Sequence, residues 1–528
     1  MMDFQSAKIR FLNILRCLFF EYFCRDKYWV CPYFKYKIMR KIIHPIIAAA
    51  VLTVITPQLA AQEYVSPYDF GLKEAADSIE RYWALFNAHT YAVANGLEVS
   101  YEGIDTLEIE LPPDFSSIPL GSRTDFGGLV LYVTNHSRHN ALFAMSSPSS
   151  PVGISKESVD SGDFSQIPEL ASGDKLLALS DKAPWTERIG YNYHVFRQDL
   201  LWIHDGQGMN TPITRWNTDS TKLSATFFNV DSVEKVFRGL TLHRTPESTF
   251  RTACLYLNGQ YNVLVEDVHV TTPKSKMIAD GVFSVNNSAK ITFRDVTVDG
   301  TYSGYGRWRN WGYAFSLNNL WGARFERVTA DGNWGVFGTN SLSNTTLEEC
   351  DINRFDIHCY GRDALLKRCT LRQRQTQFSS MYGKVVFDSC RFVDCIPVRI
   401  RSSYNAYTPF DIEMRDCTFE LTMRHHSLVN VMLLDTAANP RPELSAKCWP
   451  NLKVSNMTVV VPAMVNTLNL YEPTGKLSEL KKPVDYISSV MVEGLKIVRT
   501  NGKPAKINTR LSSKTFIPQQ ELILNINP

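Results

Sequence analysis

Charge imbalance, metal-ligand spacings and a membrane-length apolar run are all missing from this 528-residue chain. Lys and Arg number 56 against 53 Asp and Glu, so nothing global points to nucleic acid as a partner. The 11 cysteines include no CxxC pair and the histidines no HxxxH pair, which removes the usual zinc spacings. The apolar run Ile46 to Ile55 is too short to span a bilayer comfortably, and no cysteine follows it to carry a lipid anchor. Helical periodicity is absent between the strand-like segments of the central region. Gly and Pro usage is ordinary and aromatic content is high, as in a folded chain.

What is present is a ladder. The segments VFRGLTL (236–242), VLVEDVHV (263–270), ITFRDVTV (291–298), ARFERVTA (323–330), TTLEECDI (345–352), ALLKRCTL (364–371), VVFDSCRF (385–392), IEMRDCTF (412–419), LKVSNMTV (452–459) and VMVEGLKI (490–497) alternate apolar and polar residues. That is the period of a strand with one buried face. The equivalent buried position is Leu240, Val268, Val296, Val328, Cys350, Cys369, Cys390, Cys417, Met457 and Leu495. A repeat of about twenty residues with insertions of variable length predicts a solenoid, and one made of strands predicts a parallel β-helix. The fold class expected is all-β: a right-handed parallel β-helix with an N-terminal helical cap. A second strand precedes each of these segments, in CLYLN, VFSVN, AFSLN, VFGTN, DIHCY, QFSSM and RIRSS. Asn258, Asn286, Asn318 and Asn340 read as a turn ladder with amides bonded from coil to coil, and Cys350, Cys369, Cys390 and Cys417 as small apolar fillers of the bore.

The ends divide the chain further. Arg40 and Lys41, the apolar run, and Ala60 and Ala61 predict a cleavable export signal over 39–62. Residues 1–38 are then an upstream extension outside the mature protein; the rival is a cytoplasmic tail on a signal anchor. The mature protein is expected to have no membrane span, to be a monomer, and to reside in the periplasm or at the surface of a Gram-negative cell. Segment 63–230 is expected to hold a cap and irregular early coils, with helical spacing over Leu72 to Ala94 and strands at Thr106–Leu111 and Gly128–Val133. Regular coils follow over 231–440, then late coils and a closing segment over 441–528.

With Phe283, Phe315, Phe337, Ile357, Phe378 and Ile400 taken as inward neighbours, the residues flanking them form outward rows. Early positions in these rows are small or apolar, such as Ser284, Ser316 and Gly338. The later ones turn polar at Asp356, His358, Gln377, Arg399 and Arg401. Arg354, Asp356 and His358 alternate with apolar residues and so share one face. Basic and histidine side chains on a polymer-binding sheet suit β-elimination at a uronic acid. Arginine neutralises the carboxylate in a bidentate grip, and a base removes the proton beside it while an acid assists the leaving oxygen. The assignment is His358 as base, Arg401 and Arg399 as clamps, Arg354 and Asp356 as supports, and Tyr404 or Tyr360 as acid. Arg374 and Gln377 line the substrate path. Tyr302, Trp308, Trp311 and Tyr313, interleaved with Arg307 and Arg309, together with Trp334 on the next coil, suit a wall that stacks on sugar rings. The alternative is a solvated face with a local ion pair and a loop whose aromatics pack back on the coil.

A glycoside hydrolase needs convergent carboxylates; beside Asp356 the rows offer only Asp280, three coils away, and Asp363 in a turn. Calcium would need several acids together, and Asp280, Asp299 and Asp331, each before a glycine, read first as turns. No metal or other cofactor is expected. A non-catalytic glycan-binding β-helix remains the alternative from another class.

The strings INRFDIHCYGRD (352–363) and QFSSMYGKVVFDSC followed by SSYNAYTPF, with the cap string YEGIDTLEIELP and SIPLGSRTDFGG (101–128), resemble exported β-helix proteins of gut Bacteroidetes in the pectate-lyase-like superfamily. Within it the chain is most similar to lyases acting on glycosaminoglycans such as chondroitin sulfate and hyaluronan. The resemblance covers about 63–430 and implies cleavage of an acidic, uronate-containing polysaccharide to unsaturated oligosaccharides. The NTD, DD, GHG and RIK motifs of pectin-hydrolysing relatives are absent; ADG, GYA, NWG and RFD stand in their places.

Overall fold

The computed structural model describes residues 63–135, 141–187, 194–213, 216, 223–245, 253–272, 281–300, 313–330, 335–358, 360–372, 376–401, 410–423, 426–432, 450–474, 489–510 and 522–525. The segments 1–38 and 39–62 lie outside them, as do Tyr302, Trp308, Trp311, Trp334, Arg374 and Tyr404.

From Glu63 onward the protein is a right-handed parallel β-helix whose coils each contribute to three stacked sheets. The first sheet runs through Leu255–Asn258, the start of Phe283–Gly300, Tyr313–Trp321, Gly335–Glu348, Asp356–Ile357, Thr376–Phe378, Val398–Ile400, Ser427–Met432 and Thr467–Thr474. The second and third sheets hold the alternating segments recognised in the sequence. All ten positions from Leu240 to Leu495 are buried in the bore. Phenylalanines stack coil on coil beside them, Phe283 on Phe315 at 5.2 Å and Phe315 on Phe337 at 5.1 Å between ring centroids. Each buried cysteine is a free thiol, and Cys350, Cys369, Cys390, Cys395 and Cys417 donate to a backbone carbonyl of the coil before, as Cys390 Sγ does to Leu366 O at 3.2 Å.

A corner separates the second sheet from the third, and it has a chemical signature. The residue just before each buried position is left-handed: Gly239, Asp267, Asp295, Arg327, Glu349, Arg368, Ser389, Asp416, Asn456 and Gly494 all have φ between 51° and 73°. Most carry a side chain, in a region that disfavours one by roughly 1–2 kcal/mol. Backbone hydrogen bonds from coil to coil oppose that cost: Arg368 N–H donates to Asp388 O at 2.8 Å and Ser389 N–H to Arg415 O at 2.9 Å. The rung-to-rung amide bonds expected of the asparagine row run through neighbouring residues. Asn258, Asn286, Asn318 and Asn340 are aligned in strands, but the ladder is Asn319 Nδ2 to Asn287 Oδ1 (2.9 Å) and Asn287 Nδ2 to Asn258 Oδ1 (3.2 Å). Asn287 and Asn319 are left-handed, which turns their side chains along the coil axis, whereas extended backbone cannot.

The N-terminal helix is Ser78–Asn95, shorter than the sequence spacing suggested, because Asp77 caps its first turn by accepting from the N–H groups of Ile79 and Glu80. It packs against strand Thr106–Leu111 over the first coil. Segment 149–230 is not a run of irregular coils. Strands Ser149–Pro151, Asp174–Glu187, His194–His204, Gln207–Gly208 and Leu223–Val230 form a separate antiparallel sheet. Leu176, Leu200 and Phe228 on this inserted sheet pack against Tyr261 and Ala289 of the coil. At Gly259 a Cβ would meet the Phe228 ring at 2.1 Å, so glycine is required for the approach. Among the described residues no helix is long and apolar enough to cross a membrane.

Candidate active site

The site grows from a break in the first sheet. Phe337 meets Phe355 edge to face (5.4 Å between centroids), and Thr339 pairs with Ile357. The pairing is therefore slipped by two residues from the one expected, which set Phe337 level with Ile357. Gly338 now stands level with Asp356, and the row continues through Gln377, Arg399, Asn430 and Glu472, one residue per coil.

The slip gathers the polar residues into a network rather than an open face. Asp356 is 0% exposed. Its Oδ2 accepts from Arg354 Nη2, lies 2.9 Å from His358 Nε2 and is 3.6 Å from Arg401 Nη1. Arg354 Nη2 also donates to Gln377 Oε1 at 2.6 Å. Burial alone would raise the Asp356 pKa, but Arg354, His358 and Arg401 outweigh it and hold the carboxyl well below the usual carboxylate range. Burial pushes His358 the other way, below the ordinary imidazole value; Asp356 offsets this in part, while Arg401 and Arg354 reinforce it. The imidazole is thus neutral near pH 7, yet its side chain keeps 16% of its surface open. An anionic Asp356 selects the tautomer protonated on Nε2, which places the lone pair on Nδ1.

Tyr313 completes the network from an earlier coil. Its hydroxyl is 3.1 Å from His358 Nε2. The ring lies over Gly338, where a Cβ would meet Tyr313 Cε2 at 2.6 Å. Glycine in the row is what lets the tyrosine reach the histidine. The sequence placed Tyr313 in an aromatic wall; no periodicity signals the contact with His358, because it depends on a side chain crossing from one coil to another.

Arg399 is the odd member. Its Nε is buried without a hydrogen bond, and the guanidinium makes no ion pair with a described residue. Burial, with Arg401 and Arg354 nearby, lowers its pKa from the ordinary value. Among the described residues, Asp356 is the carboxylate within 4.0 Å of Arg354 and Arg401. The other cations that the sequence brings to the neighbourhood are engaged: Arg372 with Asp351, Lys384 with Glu413 at 3.3 Å, and Arg362 with the Pro212 carbonyl at 3.1 Å.

Tyr360 takes a different place from the substrate-facing one the sequence suggested. It is buried against the inserted sheet, where its hydroxyl accepts from the Gln198 backbone N–H and its ring packs with Val195 and Ile213. Burial raises its pKa well above the ordinary tyrosine value. Two residues after His358, it fixes this coil to the insertion. The alternation that pointed to His358 could not reveal this, because the covering sheet comes from 160 residues upstream. Among the described residues no group of His, Cys, Asp and Glu gathers to hold a metal ion.

No family model matches this chain, and no curated protein matches it. Solved structures do. The tailspike protein gp49 from Pseudomonas phage LKA1 superposes with a TM-score of 0.51 at 11% identity, over 82% of this chain and 81% of that one. The gp54 tailspike of Acinetobacter baumannii bacteriophage AP22 in complex with capsular saccharide gives 0.47 at 10% identity, over 82% and 76%. The A-module of the Azotobacter vinelandii mannuronan C-5 epimerase AlgE4 gives 0.43 at 10% identity, over 87% and 99%. At these identities the first of them supports the fold and nothing finer.

Proposed function

We propose that this protein is an exported polysaccharide lyase that cleaves a uronate-containing glycan, of the glycosaminoglycan class, by β-elimination. The observation that carries this reading is Arg399, which makes no ion pair with a described residue, beside a part-buried Tyr313–His358 contact resting on the buried Asp356. Arg399 and Arg401 neutralise the uronate carboxylate, which acidifies the proton on the adjacent ring carbon. His358 Nδ1 takes that proton, and the electron pair left on carbon forms the new double bond as the glycosidic C–O bond breaks. The leaving oxygen takes a proton from the Tyr313 hydroxyl. Asp356 orients the imidazole and balances the charge it acquires. The lone pair of a neutral His358 is available for this at neutral pH because burial keeps the ring from protonating.

A hydrolytic reading fits less well. Asp356 is fully buried under its partners, and the other carboxylate in the same row, Glu472, is four coils away. At about 4.8 Å per coil this is about 19 Å, well beyond the roughly 5–9.5 Å between the carboxylates of glycosidases.

The test is to incubate the chain from Glu63 with chondroitin sulfates, hyaluronan, heparin, alginate and pectin, and follow the ultraviolet absorbance of the unsaturated product. A rise that His358→Ala abolishes, with polymer binding retained, supports the lyase. New reducing ends without absorbance would replace it with a hydrolase, and binding without either would replace it with a glycan-binding module. Gly338→Ala, which drives a methyl group into the Tyr313 ring, should lower turnover roughly tenfold to a hundredfold at unchanged binding.

A further inference from the structure

Gln377 stands in the row between Asp356 and Arg399, one coil from each. Its amide is turned in one sense only. Oε1 lies 2.6 Å from Arg354 Nη2, and a guanidinium has donors but no acceptor. The atom facing it must therefore be the carbonyl oxygen, so the amide cannot be flipped. The same Nη2 donates to Asp356 Oδ2, which ties the oxygen to the Asp356 side of the row. Nε2 shares a trigonal carbon with Oε1 and so opens away from Arg354. No described residue accepts from it. The glutamine is 6% exposed, and a donor left without a partner at that depth is costly. One coil on, Arg399 makes no hydrogen bond or ion pair with a described residue. Two donors, one neutral and one cationic, thus neighbour each other with no acceptor for either among the described residues.

We infer that Gln377 is a further arm of the uronate clamp: Nε2–H donates to one carboxylate oxygen while Arg399 binds the other, and Arg354 is the positioning residue that turns the amide that way. The inference rests on the proposed use of Arg399 to hold a uronate. A carboxylate supplies what both donors lack, because its two oxygens accept from neighbouring donors at once. A neutral arm also suits the elimination. As His358 takes the ring proton, negative charge moves onto the carboxylate oxygens. An amide already fixed in place stabilises that charge without reorganising.

The experiment uses unsulfated chondroitin and polygalacturonate, whose charge is all uronate carboxylate, each beside its carboxyl-reduced neutral form, in affinity electrophoresis at equal ionic strength. Wild-type protein should bind at least one acidic polymer about tenfold or more tightly than its reduced form. Gln377→Met, which removes the donor at similar size, should cut that ratio about threefold to tenfold. Gln377→Glu keeps an acceptor for Arg354 but puts an anion where the donor stood. It should bring acidic and reduced polymers within about threefold, while its thermal midpoint holds or rises because the new carboxylate gives Arg399 a partner. A glutamine with a structural role alone would do the opposite, lowering the midpoint and leaving the ratio unchanged. Equal wild-type affinity for acidic and reduced polymers, or a wild-type ratio in either folded variant, would overturn the inference. Following absorbance in the same samples separates its failure from that of the lyase: a ratio that falls as stated without product sinks only the lyase, and product with a wild-type ratio in the variants sinks only the role of Gln377.

Discussion

The second sheet and the first sheet carry charge on the same coils to opposite ends. On the second, Arg294 lies between Glu266 (3.1 Å) and Glu326 (2.6 Å), Arg324 reaches Glu348 at 3.4 Å, and Arg415 meets Asp388 at 2.8 Å. Each cation there has an anion one coil away and both are partly exposed to water. On the first sheet, among the described residues, Arg354 and Arg401 lie beside the Asp356 carboxylate while Arg399 makes no ion pair, and all three are buried or half-buried. Pairing along the second sheet aligns neighbouring strands at little cost and little gain. The first sheet instead gathers three arginines in a largely buried stretch, with Arg399 making no ion pair to a described residue. Exposed charge on the second sheet is matched coil by coil, whereas Arg399 on the first is not.

The sharpest way to break this contrast is to remove the Asp356 carboxylate. Asp356→Asn leaves Arg354 and Arg401 buried without their counter-charge, and the urea midpoint should fall by the equivalent of about 3–5 kcal/mol, with product formation lost. Removing a cation on the same sheet should do the reverse. Arg399→Ala is expected to lower product formation about a hundredfold or more while the thermal midpoint holds or rises, because the residue makes no compensating contact to lose. A drop in both would show that Arg399 is structural.

Acidity separates a second pair of sites. Asp199, buried in the inserted sheet, accepts from Ile213 N–H at 3.0 Å and Trp216 Nε1–H at 2.8 Å, yet burial raises its pKa to about 7. Its folded form therefore holds a proton that the unfolded chain releases near 3.8, the ordinary value. The stability this contributes is present in acid and lost as pH rises toward 7. Asp356 has the opposite sign: its contribution is present above the ordinary carboxylate range and is lost as pH falls. The midpoint of Asp199→Asn relative to wild type should rise between pH 4 and 7, and that of Asp356→Asn should fall as pH rises through the acidic range to about 4 and stay level above it. Parallel trends would refute the contrast. The smallest effect belongs to the outer ladder, where Arg294→Ala should cost less than about 1 kcal/mol and leave product formation unchanged.

Much of the coil is written in the sequence because a strand with one buried face repeats every second residue. That is why every position from Leu240 to Leu495, and the alignment of Asp356 with Gln377 and Arg399, follows from the letters alone. The corner residues were equally visible as pairs such as Glu266–Asp267 and Lys367–Arg368, but polar residues before a buried one do not announce a left-handed backbone unless they are glycine or asparagine. The two-residue slip at Phe337 was hidden because Phe355 and Ile357 are equally good inward residues. The inserted sheet was hidden because its strands are short of the coil repeat but rich in the same alternation. Both omissions fall on the site: the slip sets Gly338 beside Asp356 and opens the path for Tyr313, and the insertion buries Tyr360.

The left-handed corners have a consequence for how such a site can change. Each corner locks the phase of its coil, so a coil can be gained or lost only as a whole turn, from one corner to the next. Losing the turn between Cys369 and Cys390 would keep every bore residue inward and bring Arg399 about 4.8 Å nearer to Asp356. The spacing of Arg399 from His358 is thus quantised, changing only in whole steps of one coil, about 4.8 Å each.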